Sequence, residues 1–314
     1  MPEKRRPGLR PLAMGAVLGL TLAGCAAAPE AVPVSAQENA AAAQCGLFFD
    51  DFVYSGPHDP ALAEQGWRVR SWAGGPGVAG ASWDADNISF VAEDGDRLLR
   101  LTSSTDGTPA GTSQAELTFG EEKFHEGTYA AKVKFADEPV SGADGDTVLQ
   151  TFYTITPLAY DNDPDYSELD FEYLPNGGWG ARAEAFYLTS YHTYQRDPWK
   201  ADNTHDVVDR SFAGWRDLVI QVADGTAKYY IDTHLVAEHG GKYYPSSPMS
   251  INFNQWFIDM SGHTGGTSTY VQDVDWVYYQ QGQTIAPDAV NTRVGEQRNA
   301  GIERIDEVPS TAVC

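Results

Sequence analysis

Residues 168–174 read Glu168-Leu169-Asp170-Phe171-Glu172-Tyr173-Leu174, an alternation of acidic with apolar side chains that marks a β-strand. Side chains two apart on a strand share a face, so Glu168, Asp170 and Glu172 line one side while Leu169, Phe171 and Tyr173 enter a core on the other. Stretches rich in Val, Ile, Tyr, Phe, Trp and Thr recur at 87–94, 97–104, 128–135, 146–155, 182–191, 215–222, 227–236, 249–258 and 269–280. Turn chemistry separates them, as in Glu93-Asp-Gly95-Asp96 and Pro175-Asn-Gly-Gly178. Many short strands between Gly and Asp turns predict an all-β fold, a two-sheet antiparallel β-sandwich or a barrel, with residues 45–280 as one large domain. No internal repeat and no amphipathic helix of convincing length is visible. The tail, 281–314, loses aromatic residues and strand texture. It reads either as a loosely packed extension or as a strap held by Cys314, with residues 299–308 as a short helical turn.

Three carboxylates on one strand face oppose one another, and that crowding raises at least one pKa toward neutrality, as a general acid requires. The plainer reading is an acidic stripe facing solvent, since the chain carries 44 Asp and Glu against 21 Lys and Arg, a formal charge of −23. Such a surface repels nucleic acid and anionic lipid headgroups, and it disfavours a strongly anionic polysaccharide as ligand. No glycine-rich phosphate loop, zinc-ligand cluster or Cys–His pair is present.

The N-terminus sets the compartment. A basic stretch, residues 1–10, precedes the uncharged run 11–24 and then Cys25. That run is short of the roughly 20 residues a spanning helix needs, so 1–24 reads as a signal peptide. Leu22-Ala23-Gly24-Cys25 resembles the bacterial lipobox, which implies lipidation of Cys25 and an extracytoplasmic membrane lipoprotein; an ordinary secretory signal is the alternative. Residues 25–44, rich in Ala with Pro and no aromatic side chain, read as a tether. In an exported protein Cys45 and Cys314 are expected to form a disulfide, two free thiols being the alternative. The membrane is expected as a partner through the lipid anchor only, and the folded domain as a monomer.

The run Glu168-Leu-Asp170-Phe-Glu172 resembles the E-x-D-x-E signature of glycoside hydrolase family 16. Other segments resemble the family in order: Phe49-Asp-Asp51-Phe52 with Gly66-Trp67; Trp83 and Asn87; Ser113-Gln-Ala-Glu116-Leu; Lys228-Tyr-Tyr-Ile-Asp232; Met249-Ser-Ile-Asn252-Phe-Asn254-Gln-Trp256; and Val274-Asp275-Trp. The resemblance implies a concanavalin A-like jelly roll and an endo-acting hydrolase that cleaves a β-linked polysaccharide with retention. Glu168 would be the nucleophile, Glu172 the acid/base and Asp170 the assisting carboxylate. Retention needs carboxyls roughly 5–5.5 Å apart, whereas positions i and i+4 on a strand are about 13 Å apart at the backbone, so the two Glu side chains must lean together. The chain departs from the family at Ala130-Ala131, at Thr233, at Gln255-Trp256-Phe257 and in the insertion 158–166, which leaves the polysaccharide open: a β-1,3- or β-1,3-1,4-glucan first, with galactan or another cell-wall glycan as alternatives.

A sugar cleft needs flat apolar platforms and a few hydrogen-bonding groups. Among 8 Trp, 16 Tyr and 13 Phe, Trp179 and Trp256 are the leading platforms, followed by Tyr153, Tyr187, Trp199 and Tyr166, each with a core or inert surface role as alternative. Asn254 and Gln150 are candidates for bonds to hydroxyls, and His192 either lines the cleft or sits in a loop. The resemblance also implies a structural calcium held by Asp275 and the backbone of Gly95; catalysis itself requires no cofactor. Two other classes compete: a carbohydrate-binding jelly-roll lipoprotein without catalysis, and a polysaccharide lyase, which would want basic and tyrosine residues where this stripe is acidic.

Overall fold

Alternation along the strands is realised in a computed structural model that describes residues 45–93 and 95–310. In chain order the first strands are β1 (Leu47–Asp50), β2 (Trp67–Val69), β3 (Ser82–Trp83), β4 (Ile88–Glu93), β5 (Asp96–Thr105), β6 (Ser113–Phe119), β7 (Gly127–Phe135), β8 (Val148–Ile155) and β9 (Glu168–Leu174). There follow β10 (Ala185–Gln195), β11 (Lys200–Val208), β12 (Gly214–Ala223), β13 (Thr226–Ile231), β14 (His234–Gly240), β15 (Ser250–Phe257), β16 (Ser268–Gln281) and β17 (Arg304–Asp306). Two helices, α1 (Pro60–Glu64) and α2 (Pro287–Asn299), complete the set. Among the described residues no helix is long and apolar enough to cross a membrane.

The strands make an antiparallel jelly-roll sandwich. One sheet runs β11-β10-β9-β8-β15-β6-β2. The other runs β14-β13-β12-β7-β16, with β5 and β1 sharing the far edge of β16 and β4 and β17 outside them. The pairing of Ser104 with Ser113 joins β5 to β6 and so links the sheets. Between the sheets lies an aromatic core. Phe171 stacks on Phe152 at 6.1 Å and meets Tyr229 edge-on at 5.4 Å, while Phe152 stacks on Phe253 at 5.2 Å. Such pairs add about 0.5–1.5 kcal/mol each beyond burial, and they hold β9, β8 and β15 side by side from below. The acidic face of β9 is thereby turned outward on a rigid floor.

The tail is a strap, and it contains a helix that the sequence reading missed. Helix α2 rests Val290 and Val294, with Ile285, on Phe49, Ala130, Val219, Trp276 and Tyr278 at the back of the second sheet. Its ends carry recognisable signals: Pro287 in the first turn and Gly301, at φ 70°, just after the last. Residues 299–308 are not a helical turn. The Ile302 amide returns to the Gln297 carbonyl at 3.0 Å, and Arg304–Asp306 then pairs with β1 as a strand. Cys45 is disulfide-bonded. Its expected partner Cys314 lies outside the described residues, as do Cys25, the signal segment 1–24 and the tether 25–44.

Candidate active site

Register brings the site together. On β9, Glu172 stands between Tyr187 of β10 and Thr151 of β8, Asp170 between Thr189 and Tyr153, and Glu168 between Tyr191 and Ile155. The row continues outward: Asn254 of β15 lies opposite Thr151, and Glu116 of β6 opposite Asn254. These side chains floor a cleft of about 1160 Å³. Glu168, Asp170 and Glu172 thus share one face and open into one cavity.

Each glutamate is held by a single hydroxyl. Tyr166 OH donates to Glu168 Oε2, and Thr189 Oγ1 donates to Glu172 Oε2 at 2.7 Å. Asp170 lies deepest, with Oδ2 unpartnered. Burial pushes Glu168 up to about 7, against the opposing pull of the Tyr166 hydroxyl. Burial also pushes Glu172 up to about 8, with Thr189 opposing and the charge of Glu168 adding to the rise. Asp170 is driven well above the carboxylate range by burial and by both neighbours. Like charges this close oppose full ionisation, so the three carboxyls titrate as one coupled group. Two carboxyls raised toward neutrality on one strand face are suited to nucleophilic attack paired with general acid catalysis.

Of the expected substrate-contact residues, Tyr153, Trp179, Tyr187, Asn254 and Trp256 line this cleft. Trp179 is 47% exposed and takes φ 51°, a left-handed conformation that is costly for a bulky residue. It stands 5.6 Å from Tyr187 and 6.2 Å from Trp256, so three rings form one aromatic wall beside Glu172. Tyr166 and Trp199 also line the cleft. Gln150 does not. It pairs across the sheets' strands with Tyr173 and Gln255, on the core side, where its amide closes on Ala136 N at 3.0 Å and Ala136 O at 2.7 Å. His192 sits at the bulge of β10, outside the cleft lining.

Among the cleft residues that the sequence reading did not single out as site residues are Thr189, Tyr191 and Glu116. Glu116 is buried, raised by desolvation, and gripped by Arg70 Nη1 at 3.1 Å, while Asn254 Nδ2 approaches it at 3.4 Å. Arg70 in turn lies 3.9 Å over the ring of Trp83. Glu116 had been quoted for its sequence motif, but only cross-strand register reveals that it reaches the cleft.

Of the two expected calcium ligands, Asp275 is paired with two cationic side chains. Asp275 Oδ1 takes Arg298 Nη2 at 2.6 Å, and its Oδ2 lies 3.3 Å from Lys132 Nζ. Arg298 also binds Asp51 through Nε at 2.9 Å and lies 3.9 Å from Asp96, next to Gly95. A guanidinium from the tail helix thus sits among Asp51, Asp96 and Asp275, with Lys132 as a second positive charge on Asp275.

No family model and no curated protein matches the sequence. Solved structures do match. The β-glucanase of Bacillus licheniformis superposes with TM-score 0.55 at 17% identity, over 75% of this chain and 98% of that one. A β-1,3-1,4-glucanase (lichenase) derived from a mouse hindgut metagenome gives 0.53 at 21% identity, over 74% and 98%. A glycoside hydrolase family 16 endo-glucanase from Bacteroides ovatus gives 0.56 at 15% identity, over 74% and 99%. At these identities the likeness is one of fold.

Proposed function

We propose that this chain is a retaining, endo-acting glycoside hydrolase of the family 16 type that cleaves a β-linked glucan, with β-1,3- or β-1,3-1,4-linkages favoured. One observation carries the reading: Glu168, Asp170 and Glu172 share one face of one strand at the floor of an aromatic-walled cleft, their carboxyls all raised by burial. A module that only bound sugar would gain nothing from burying three carboxyls together. The structural neighbours described as glucanases agree with it.

In this reading Glu168 carboxylate attacks the anomeric carbon while Glu172 gives its proton to the departing glycosidic oxygen. The C–O bond to the leaving sugar breaks as the ester to Glu168 forms. Glu172, now ionised, takes a proton from water, whose oxygen displaces Glu168. Asp170, between the two glutamates, assists through its electrostatic coupling to both. Trp179, Tyr187 and Trp256 stack on sugar faces, while Asn254 and Glu116 bind hydroxyls. The N-terminal pattern supports a place on the outer face of a bacterial membrane, anchored through Cys25. Incubation with a panel of β-1,3-, β-1,3-1,4- and β-1,4-glucans and galactans, read by new reducing ends, tests the activity. Cleavage of a β-glucan is expected, abolished by Glu168→Ala and restored with azide as a replacement nucleophile. Binding without cleavage would instead establish a carbohydrate-binding module.

A further inference from the structure

Among the described residues, the hydroxyl of Tyr166 is the only hydrogen-bond partner shown for the Glu168 carboxyl. Tyr166 comes from the insertion 158–166 that departs from the family pattern, and it is fastened from several sides. Its ring is 1% exposed and meets Tyr194 edge-on at 5.1 Å. Tyr194 packs in turn against Trp199, 4.9 Å away and 63% exposed at the cleft rim. The insertion is tied to β10 by the Asn162 amide on Tyr194 O at 2.9 Å and by Arg196 on Asp161 at 2.9 Å. Within it, Asp163 accepts the amides of Ala159 and Asp165 at 3.2 and 3.1 Å.

We infer that Tyr166 is a positioning residue for Glu168: its hydroxyl fixes Oε2 of the carboxylate, favours the ionised form, and leaves Oε1 to attack the sugar. The inference rests on the nucleophile assignment proposed above. The other titratable groups facing Glu168 all work the opposite way or are neutral. Asp170 and Glu172 on β9 disfavour its charge. Tyr153 of β8, Tyr191 and Tyr194 of β10, and Tyr229 of β13 remain phenols in its field. Arg196, at the cleft rim, is engaged by Asp161, and Arg70 by Glu116. A donor that cannot itself ionise at working pH is the one means left to hold a buried carboxylate, and burial keeps the Tyr166 proton in place far above neutral pH.

Tyr166→Phe keeps the buried ring and deletes only the donor. Carbon-13 NMR of the glutamate carboxyls, with Glu168→Gln to assign the signal, reads the titration of Glu168 without any substrate. We expect it to move up by about one pH unit, a tenfold change in the ionisation constant. In parallel, kcat/KM on 2,4-dinitrophenyl β-laminaribioside, whose leaving group hardly needs a proton, should show its acid limb displaced upward by the same amount with KM little changed. Should Tyr166→Phe lose its fold by circular dichroism, Tyr194→Leu takes its place, loosening the ring that holds Tyr166 and moving both limbs in the same direction. An unmoved carboxyl titration in a folded variant would overturn the positioning role. A shifted titration in a protein whose wild type cleaves no glycoside would uphold the contact and overturn the hydrolase reading instead.

Discussion

Replacing Glu172 with Gln should stabilise the protein at high pH and leave it unchanged at low pH. The carboxyl moves from an ordinary 4.5 to about 8 on folding, chiefly through burial. Between those values the native state binds more protons than the unfolded chain, so stability falls as pH rises through the window. Above it the full cost is present, about 5 kcal/mol by the linkage relation, because the native state must then hold an anion in the cleft floor beside Glu168 and Asp170. The three carboxyls titrate together, which spreads that cost, so a gain of about 2–5 kcal/mol is expected on neutralising Glu172. Gln keeps the length of Glu and still accepts the Thr189 hydroxyl that Glu172 accepts at 2.7 Å. For a domain of this size each kcal/mol moves Tm by about 2–4 °C. Thermal unfolding followed by circular dichroism should therefore show the variant about 5–15 °C higher than wild type near pH 9, and level with it near pH 5. An equal Tm difference at both pH values, or a loss near pH 9, would refute the claim that the site stores unfavourable charge.

Other expectations follow from single contacts. Trp179→Gly removes the ring at a φ of 51° that glycine adopts freely, so KM for a β-glucan should rise about tenfold while Tm stays within a few degrees. Arg298→Ala strips the counter-charge from Asp51 and Asp275 and should cost about 2–4 kcal/mol in chemical denaturation, the partial exposure of Arg298 being allowed for; wild-type Tm should not respond to EDTA. Cys25→Ser should release the protein from the membrane fraction, and unchanged fractionation on a blot would dismiss the lipid anchor.

The acidic face of β9 was legible because its alternation is strict: charged at 168, 170 and 172, apolar between. Neighbouring β8 has no such contrast. Seven of its eight residues are buried, on both faces, so nothing in the local pattern tells Gln150 from Thr151, and the glutamine falls on the core side. A one-residue change of face is all that separates a sugar ligand from a core amide. Strand β11 escaped for the reverse reason: as an edge strand whose run 202–206 is polar, it carries no apolar period. Helix α2 buries only Val290 and Val294, too narrow a stripe to stand out, although Pro287 and Gly301 punctuate it. Arg298 on Asp275, Tyr166 on Glu168 and Thr189 on Glu172 are contacts of register and tertiary packing. The residue types announced an acid-base site; only the fold says which hydroxyl holds which carboxyl.

The central claim, that Glu168 and Glu172 work as nucleophile and acid/base, is tested most directly by the configuration of the first product. Proton NMR of the anomeric region, recorded as a β-glucan is cleaved and before mutarotation, should show the β-anomer appearing first, because two displacements at one carbon restore its configuration. The α-anomer appearing first would mean a single displacement by water and would contradict the roles assigned to both glutamates.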